Sequence, residues 1–167
     1  MTVFETIRTK RAVRHYQDKP IPDEAVETIL KAGRFSQSAK NRQPWHFVAI
    51  RDRARLKQLA EAGRFSAHLG QAALGVVILT PPPEERFQIM FDAGQAAAYM
   101  QLAAWELGIG SCPVTAFARD QARQVLGAPD DLQVRIALAF GYPVNPPRPP
   151  RQGGRRSLDE IVHWEEW

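Results

Sequence analysis

DAGQAAAYMQLAAWELGIG, residues 92–110, is the longest run with helical spacing and no proline, so we place it at the centre of the predicted fold. Alanine recurs through it, and alanine is the strongest helix former because it loses no side-chain entropy in a helix. Small and large apolar residues lie on nearly every side of the helix predicted over residues 92–107, so we expect it to be buried almost all round. Gly108 is suited to follow its end, since glycine adopts the left-handed conformation at no steric cost.

The segment after this helix is short and extended in character. Residues 111–115 read SCPVT. A buried helix that ends in a tight turn before such a segment is a place where the backbone can meet a ligand. The plainer interpretation, a core helix with its return loop, stays open at this point.

Length and composition limit the class of protein. A chain of 167 residues with 44% apolar residues makes one domain with a proper core, or one domain in each subunit of an oligomer. It has no run of about 18 apolar residues for a membrane span, and its start, MTVFETIRTKR, carries charge where a signal peptide needs an apolar run. We therefore expect a cytoplasmic protein with no membrane partner. The single cysteine, Cys112, allows neither an internal disulfide nor a cysteine-rich zinc site.

The formal net charge of +4 permits acidic partners. Acidic residues are interspersed with the basic ones and no basic helix is predicted, so we expect no nucleic-acid partner. The basic residues gather instead near the two ends of the chain. They are Arg8, Lys10, Arg11 and Arg14 near the start, and Arg148, Arg151, Arg155 and Arg156 near the finish.

The rest of the chain alternates helical and extended patterns, which is typical of an α+β layer. One helix is expected to be capped by Asp23 and stopped by Gly33. The nearly continuous apolar residues 75–80 and 134–140 predict two buried strands. The remaining predicted elements are a short helix built on Val3, Phe4 and Ile7, a strand over residues 46–50, a helix that Asp52 opens, and a helix over residues 120–126 that Gly127 closes.

The C-terminal residues 143–154 are rich in proline, arginine and glycine and hold too little apolar side chain to fold alone. We expect them to form an arm or linker that lies on another surface. Two tryptophans, Trp164 and Trp167, stand at the end of the chain, where a monomer normally frays. Ordered tryptophans there need a surface to cover. A tail folded on its own subunit and a tail that reaches a partner both remain open.

Most of the standard catalytic and cofactor motifs are absent from the sequence. It has no phosphate-loop lysine signature, no glycine-rich dinucleotide turn after a strand and no serine in a nucleophile elbow. Cys112 precedes a proline and has no obvious base, so we interpret it as a packed core thiol. The 4 histidines are scattered without ligand spacing, so we expect no metal site and nominate no catalytic side chain.

The basic segment KRAVR, residues 10–14, is the first candidate binding element. In an extended backbone, Lys10, Ala12 and Arg14 share one side while Arg11 points to the other. Guanidinium groups so placed can hold a phosphate through paired hydrogen bonds. An exposed charged segment without a ligand is the alternative.

The polar loop SAKNRQPW, residues 38–45, is the second candidate binding element. Its short polar side chains offer hydrogen-bond donors and acceptors suited to the edge of a heteroaromatic ring. Pro44 and Trp45 begin the strand that follows. A capped loop with a packed tryptophan is the alternative.

Four segments resemble, in the same order, blocks of the nitroreductase family of flavin enzymes. Residues 8–16 (RTKRAVRHY) are similar to its R-R-S-x-R-x-F start, and residues 36–47 (SQSAKNRQPWHF) to its P-S-x-x-N-x-Q-P-W-x-F loop. Residues 103–117 (AAWELGIGSCPVTAF) resemble the block A-A-x-x-L-G-L-G-S-C-x-x-x-x-F, and residues 155–167 (RRSLDEIVHWEEW) the tail R-x-P-L-E-E-V-V-H-W. Each block alone is weak evidence, but the four together are specific.

The resemblance implies the nitroreductase α+β fold, a single domain over residues 1–167 with a central, mostly antiparallel sheet flanked by helices. It also implies an obligate, interlocked homodimer that holds two FMN molecules at the subunit interface. The helix over residues 92–107 would then lie at the dimer core. Residues 143–167 would form a C-terminal arm that wraps the partner subunit.

The resemblance further implies which residues bind FMN. Those at its phosphate and at one edge of its ring would be Lys10, Arg11, Ala12 and Arg14, with Arg155 and Arg156 joining at the phosphate. Ser38, Ala39 and Asn41 would come from the other subunit, with Gln43 close by. Pro113, Val114 and Thr115 would run beside the ring, and the Thr115 backbone N–H would point at the flavin N5, where an amide donor stabilises the reduced flavin.

The chain departs from the family pattern at several positions. The usual serine of the first block is Ala12, which lacks a hydroxyl, and its usual first arginine is Lys10, a point charge in place of a fork. The proline before the loop serine is Gln37. Family members often carry further flavin contacts in the part that corresponds to residues 64–73. This part does not align, so Ser66 and His68 stay open as such contacts.

The activity implied is that of an FMN-dependent NAD(P)H oxidoreductase. It would transfer hydride from NADH or NADPH to the flavin and then, in a ping-pong mechanism, to a nitroaromatic, quinone or similar acceptor in the same pocket. The resemblance also admits a dehalogenase-like or flavin-destructase-like reaction, although the chain has little room for the lid insertion of those relatives. Outside the family, a non-enzymatic basic dimer that binds nucleic acid or another anion is the alternative.

Overall fold

The computed structural model describes residues 1–83, 87–145 and 154–167. Within these ranges it contains five helices and a four-stranded antiparallel sheet. The helices are α1 (Val3–Thr9), α2 (Asp23–Arg34), α3 (Arg53–Glu61), α4 (Gln88–Glu106) and α5 (Arg119–Leu126). The strands are β1 (His46–Ile50), β2 (Leu74–Thr80), β3 (Gly110–Val114) and β4 (Gln133–Gly141), and short 3₁₀ turns occupy Ala39–Asn41, Ala67–Gln71 and Leu158–Glu160.

The sheet has the strand order β1-β2-β4-β3, and each neighbouring pair is antiparallel. This confirms the predicted α+β fold with a mostly antiparallel central sheet. Strand β2 is buried along its whole length, as its continuous apolar sequence predicts. Among the described residues, no helix combines the length and the apolar composition that crossing a bilayer requires.

Helices cover both faces of the sheet, because successive side chains of a strand point to opposite faces. Val76 and Ile78 join the core cluster of α2 and α4. Val77 and Leu79 join the cluster on the other face, together with residues of α3 and α5. The two clusters hold the fully buried side chains around which the chain packs.

The close packing of α2 on α4 corrects the prediction for Gly33. We expected Gly33 to stop a helix that Asp23 caps, but α2 continues to Arg34, and Pro22 occupies the N-cap position. Gly33 is buried within the helix, where a Cβ atom would lie 2.1 Å from Cε of Met100. The glycine is needed there for the close approach of the two helices rather than for a turn.

Helix α4 begins at Gln88, four residues before the predicted start, and one of its faces is open. Phe87 is 74% exposed and Phe91 is 70% exposed, and Gly94 and Ala98 continue the same stripe at helical spacing. The prediction that the helix is buried almost all round is therefore wrong for the single subunit. The opposite face, with Ala96, Met100 and Ala104, lies in the core.

The C-terminal end of α4 follows the prediction. Gly108 adopts a φ of +74°, in the left-handed region. The N–H of Ile109 donates to the carbonyl of Ala104 at 2.9 Å, and the N–H of Gly108 donates to that of Trp105 at 3.0 Å. These two bonds form a Schellman motif, which ends the helix and turns the chain directly into β3.

The C-terminal tail is exposed throughout its described part, residues 154–167. Trp164 is 82% exposed and Trp167 is 99% exposed. Of the two interpretations left open, a tail that covers its own subunit is therefore not observed. The predicted arm over residues 143–167 includes residues 146–153, which lie outside the described ranges together with Arg148 and Arg151.

Candidate functional site

The basic segment 10–14 runs along the free edge of β3. Ala12 forms a parallel bridge with Ser111, and the N–H of Val13 donates to the carbonyl of Ser111 at 3.0 Å. A Cβ atom on Gly110 would lie 2.6 Å from Cγ2 of Val13, so the absence of a side chain there lets the two backbones meet. The segments that resemble the first and third family blocks thus lie together. With His68 they form one structural unit, which we call the sheet-edge cluster (residues 10–14, His68 and 110–115).

Lys10 is fixed within the sheet-edge cluster by α4. Its Nζ donates to Oε1 of Gln101 at 2.5 Å, and Nε2 of Gln101 donates in turn to the carbonyl of Ala97 at 3.1 Å. Burial lowers the pKa of Lys10. A half-buried ammonium group with one hydrogen-bond partner retains capacity for an anionic or carbonyl ligand.

Arg11 and Arg14 differ in their surroundings. Nη1 of Arg11 donates to the carbonyl oxygens of Arg8 and Lys10, at 2.8 and 2.7 Å, so this side chain turns back toward α1. Arg14 lies beside Cys112 and His68, where its positive charge influences the pKa of both groups. Burial raises the pKa of Cys112, and the charges of Arg14 and Lys10 oppose that rise.

His68, which the sequence left open as a flavin contact, belongs to this cluster. It lies in the turn Ala67–Gln71 and is 7% exposed. Its Nε2 atom has no hydrogen-bond partner among the described residues. Burial lowers the pKa of His68, the charge of Arg14 adds to this effect, and a hydrogen bond to the Cys112 backbone opposes it. A buried, unpaired ring nitrogen is costly, so a ligand that pairs with it would be favoured.

The remaining predicted residues of β3 and of the tail fall into two places. Pro113 and Thr115 are exposed while Val114 is buried, so they continue the sheet-edge cluster with backbone atoms near the surface. Arg155 and Arg156 are exposed in the tail, where Nη1 of Arg155 donates to the carbonyl of Gly154 at 3.3 Å.

The loop over residues 38–43, which we call the polar loop, lies apart from the sheet-edge cluster. Its backbone is held in an uncommon conformation, with φ of +54° at Lys40, +52° at Asn41 and +49° at Gln43. Oγ of Ser38 accepts a hydrogen bond from the N–H of Gln43 at 2.9 Å. The N–H of Ala39 donates to Oδ2 of Asp92 at 3.3 Å, which attaches the loop to α4.

The residues that flank the polar loop agree with part of the alternative interpretation. Trp45 is 7% exposed and stacks on Phe47 with ring centroids 6.3 Å apart, so the tryptophan is indeed packed. Ser38 is half-buried, and Ala39, Asn41 and Gln43 are exposed and accessible to a ligand or partner. A cavity of about 640 Å³ opens beside the loop, between the end of β2 and the first turn of α4.

Helix α4 separates the sheet-edge cluster from the polar loop. The cluster contacts the helix at Gln101 and the loop contacts it at Asp92. Nine residues at about 1.5 Å and 100° each put these contacts roughly 14 Å apart and on opposite sides of the helix. One subunit therefore does not bring Lys10 and Arg14 into the same pocket as Ser38 and Asn41.

Metal ligands are not clustered in the part of the chain that the structure describes. No group of three or more His, Cys, Asp or Glu side chains there could hold a metal ion. The chemistry of the two candidate regions is instead that of cations, backbone N–H groups, amides and one buried imidazole. Such donors suit an anionic ligand with a polar heterocycle.

Sequence comparison gives one family and close relatives. The profile described as "Nitroreductase family" matches residues 7–67 and 57–142. A protein of Archaeoglobus fulgidus, provisionally named NADH dehydrogenase/NAD(P)H nitroreductase, is 35% identical, and the alignment covers 98% of each chain. An NADH dehydrogenase of Thermus thermophilus is 27% identical over 93% of this chain and 92% of its own.

Comparison with solved structures agrees. The FMN-dependent nitroreductase of Clostridium difficile R20291 superposes with a TM-score of 0.89 and 26% identity, over 98% of this chain and 99% of its own. A nitroreductase family protein of Clostridium difficile 630 superposes with a TM-score of 0.88 and 27% identity, over 100% of both chains.

Proposed function

The chain belongs to the nitroreductase family, and on this premise we propose that it is an FMN-dependent oxidoreductase that transfers hydride from NAD(P)H to small organic acceptors such as nitroaromatics or quinones. The observation that carries the proposal is the division of its donor groups between the two sides of α4. Each region offers donor groups for one part of a flavin, and neither offers a complete flavin site alone.

The divided site supports a homodimer in which each pocket takes residues from both subunits. The polar loop of one subunit would face the sheet-edge cluster of the other. The apolar stripe of α4, which exposes Phe87 and Phe91, supplies a surface for the two-fold contact. The exposed tail with Trp164 and Trp167 would cover the partner, because its own subunit leaves both rings in solvent.

The residues of the sheet-edge cluster fit FMN. Arg11 and Arg14, joined by Arg155 and Arg156, would bind the phosphate through charged hydrogen bonds. Lys10, fixed by Gln101, would bind a polar edge of the ring. The unpaired Nε2 of His68 is an orphan donor or acceptor that a polar heterocycle would satisfy. The Ala12 departure removes one hydroxyl contact without removing any of these groups.

The other regions complete the proposed pocket. Pro113, Val114 and Thr115 would lie beside the ring, and the N–H of Thr115 would donate to N5. Ser38, Ala39, Asn41 and Gln43 would contact the ring from the partner subunit. When bound, FMN supplies the two-electron chemistry, which is why no side-chain acid or base is assigned. The protein contributes orientation, charge and exclusion of water.

The kinetic order we propose is ping-pong, with donor and acceptor using the same pocket in turn. The donor must then depart before the acceptor enters, so double-reciprocal plots at several acceptor concentrations should be parallel.

The absorption spectrum of the purified protein, before and after anaerobic NADH and NADPH, tests the proposal. We expect flavin bands that bleach with at least one nucleotide and return on addition of a nitroaromatic or quinone. A protein that stays colourless after reconstitution with FMN would overturn the assignment. Bands that neither nucleotide bleaches would overturn the choice of donor.

A further inference from the structure

The cavity beside the polar loop carries two cations that the proposed flavin contacts do not use. Lys40 and Arg42 line it, together with Asp92 and the first turn of α4. Both cationic residues are exposed. Neither side chain forms an ion pair or a hydrogen bond with the rest of the described chain. Two unpaired positive charges on one rim attract an anion more strongly than charges already paired.

The polar loop fixes the backbone positions of these cations before any ligand arrives. Lys40 has a φ of +54°, and the loop is tied by Ser38 to Gln43 and by Ala39 to Asp92. A loop that already has its bound shape loses less conformational entropy on binding. The backbone that carries the two cations is therefore already in its bound shape, and only their side chains have to be ordered by the ligand.

The carboxylate of the cavity restricts the ligand further. Asp92 is 6% exposed, and its Oδ2 accepts one hydrogen bond, from Ala39. A carboxylate accepts hydrogen bonds from hydroxyl groups and repels bare phosphate. The set of Lys40, Arg42 and Asp92 thus suits a ligand that carries both phosphates and sugar hydroxyls.

We infer that Lys40 and Arg42 bind the phosphate groups of the hydride-donating NADH or NADPH, and that Asp92 lies beside its ribose hydroxyls. This inference rests on the proposed function. The polar loop carries Ser38 and Asn41, which are proposed to contact the flavin of the partner, so a nicotinamide over that flavin would have its phosphates within reach of the same loop. The two cations would then select the physiological donor while the flavin contacts do not.

The test compares two donors that share the reducing ring. NADPH has phosphates, whereas 1-benzyl-1,4-dihydronicotinamide has none. Anaerobic stopped-flow reduction of the FMN-loaded Lys40→Gln/Arg42→Gln variant gives a Kd for each donor. We expect the Kd for NADPH to rise about tenfold or more, from the loss of charged hydrogen bonds. The Kd for the benzyl donor should change less than twofold, and the NADPH affinity of the variant should depend less on salt.

The matched control removes the same charge from α3. Arg55 and Lys57 are exposed there, away from the cavity, and Arg55→Gln/Lys57→Gln should leave both Kd values within twofold. The single variant Arg42→Gln should give an intermediate shift, which keeps the test valid if the double variant is unstable.

The possible failures are distinguishable. FMN-loaded variant protein with an unchanged Kd for NADPH would overturn this inference alone. Equal shifts for both donors would overturn it too, because the cations would then act on the flavin or the ring. Wild-type protein that binds no FMN would overturn the proposed function and this inference together.

Discussion

The sheet-edge cluster and the polar loop show two ways of positioning a ligand. The cluster is part of the sheet, since Val13 bonds to Ser111 and Gly110 leaves room for the close contact. The polar loop is held by a few local hydrogen bonds, and its backbone has conformations that residues other than glycine rarely adopt. The cluster is therefore suited to the resident cofactor alone, whereas the loop would divide its side chains between that cofactor and the exchanging NAD(P)H.

Disrupting the surface that would join the two regions should have the largest effect. Phe91→Asp places a charge in the exposed apolar stripe of α4, where its burial against a partner would be costly. We expect a monomer without bound FMN and without measurable NAD(P)H oxidation. Light scattering and flavin content measure this. Phe65→Asp is the matched control, because Phe65 is 82% exposed away from α4. A Phe91→Asp dimer with full flavin would contradict the divided site.

Mixing two inactive variants tests whether the two regions of one pocket come from different subunits. Arg14→Ala disables the sheet-edge cluster and Asn41→Ala disables the polar loop. After joint refolding, mixed dimers would contain one intact pocket and one that carries both changes. Random assortment should restore about a quarter of the wild-type activity. Neither variant refolded alone should recover. A mixture no more active than its components would mean that each pocket is built within one subunit.

Separating segment 10–14 from β3 in the sheet-edge cluster should have a smaller effect than these changes. Gly110→Ala sets a Cβ atom 2.6 Å from Cγ2 of Val13, a stiff β-branched side chain. We expect a loss of about 1–3 kcal/mol in the free energy of unfolding and weaker FMN binding. Urea unfolding of the apoprotein and FMN titration measure both. The double change Gly110→Ala/Val13→Ala should recover most of the loss. If the single change is neutral, segment 10–14 is not held as described.

The smallest effect concerns the acid stability of the cluster. The pKa of His68 lies below its usual value of 6.5, so the folded protein binds this proton less readily than the unfolded chain does. The free energy of unfolding is therefore undiminished above pH 6.5 and falls as the pH drops from 6.5 toward the lowered pKa. Unfolding of the apoprotein between pH 7.5 and about 5 should show this decline, and His68→Gln should reduce it. The exposed control His15→Gln should not, and parallel profiles for wild type and His68→Gln would contradict the assignment.

Local signals made part of this fold predictable. The strand over residues 46–50, the Asp52 cap and the Gly108 turn were all predicted, because each depends on neighbouring residues alone. Helix caps formed by hydroxyl or carboxylate side chains, and glycines in the left-handed region, can be recognised from a few consecutive residues. The same holds for the apolar runs that became β2 and β4.

Features that depend on a second surface could not be predicted in this way. Gly33 looked like a helix stop, yet it lies against Met100, a residue distant in sequence. The open face of α4 looked like core, because apolar spacing does not distinguish a subunit core from a surface that a partner would cover. His68 had no signal beyond a lone histidine, since its importance comes from burial beside Arg14. The resemblance named the candidate site residues, but not their division between the two sides of α4.

The helical turns between Asp92 and Gln101 have a consequence for how such a gene can change in length. A single inserted or deleted residue there would rotate one contact by about 100° relative to the other, and a whole extra turn would increase their separation by roughly 5 Å. Loops elsewhere absorb extra residues at little energetic cost. Length variation among homologous genes should therefore collect in the connecting segments and avoid the part of the helix between these two residues, whatever residues occupy it.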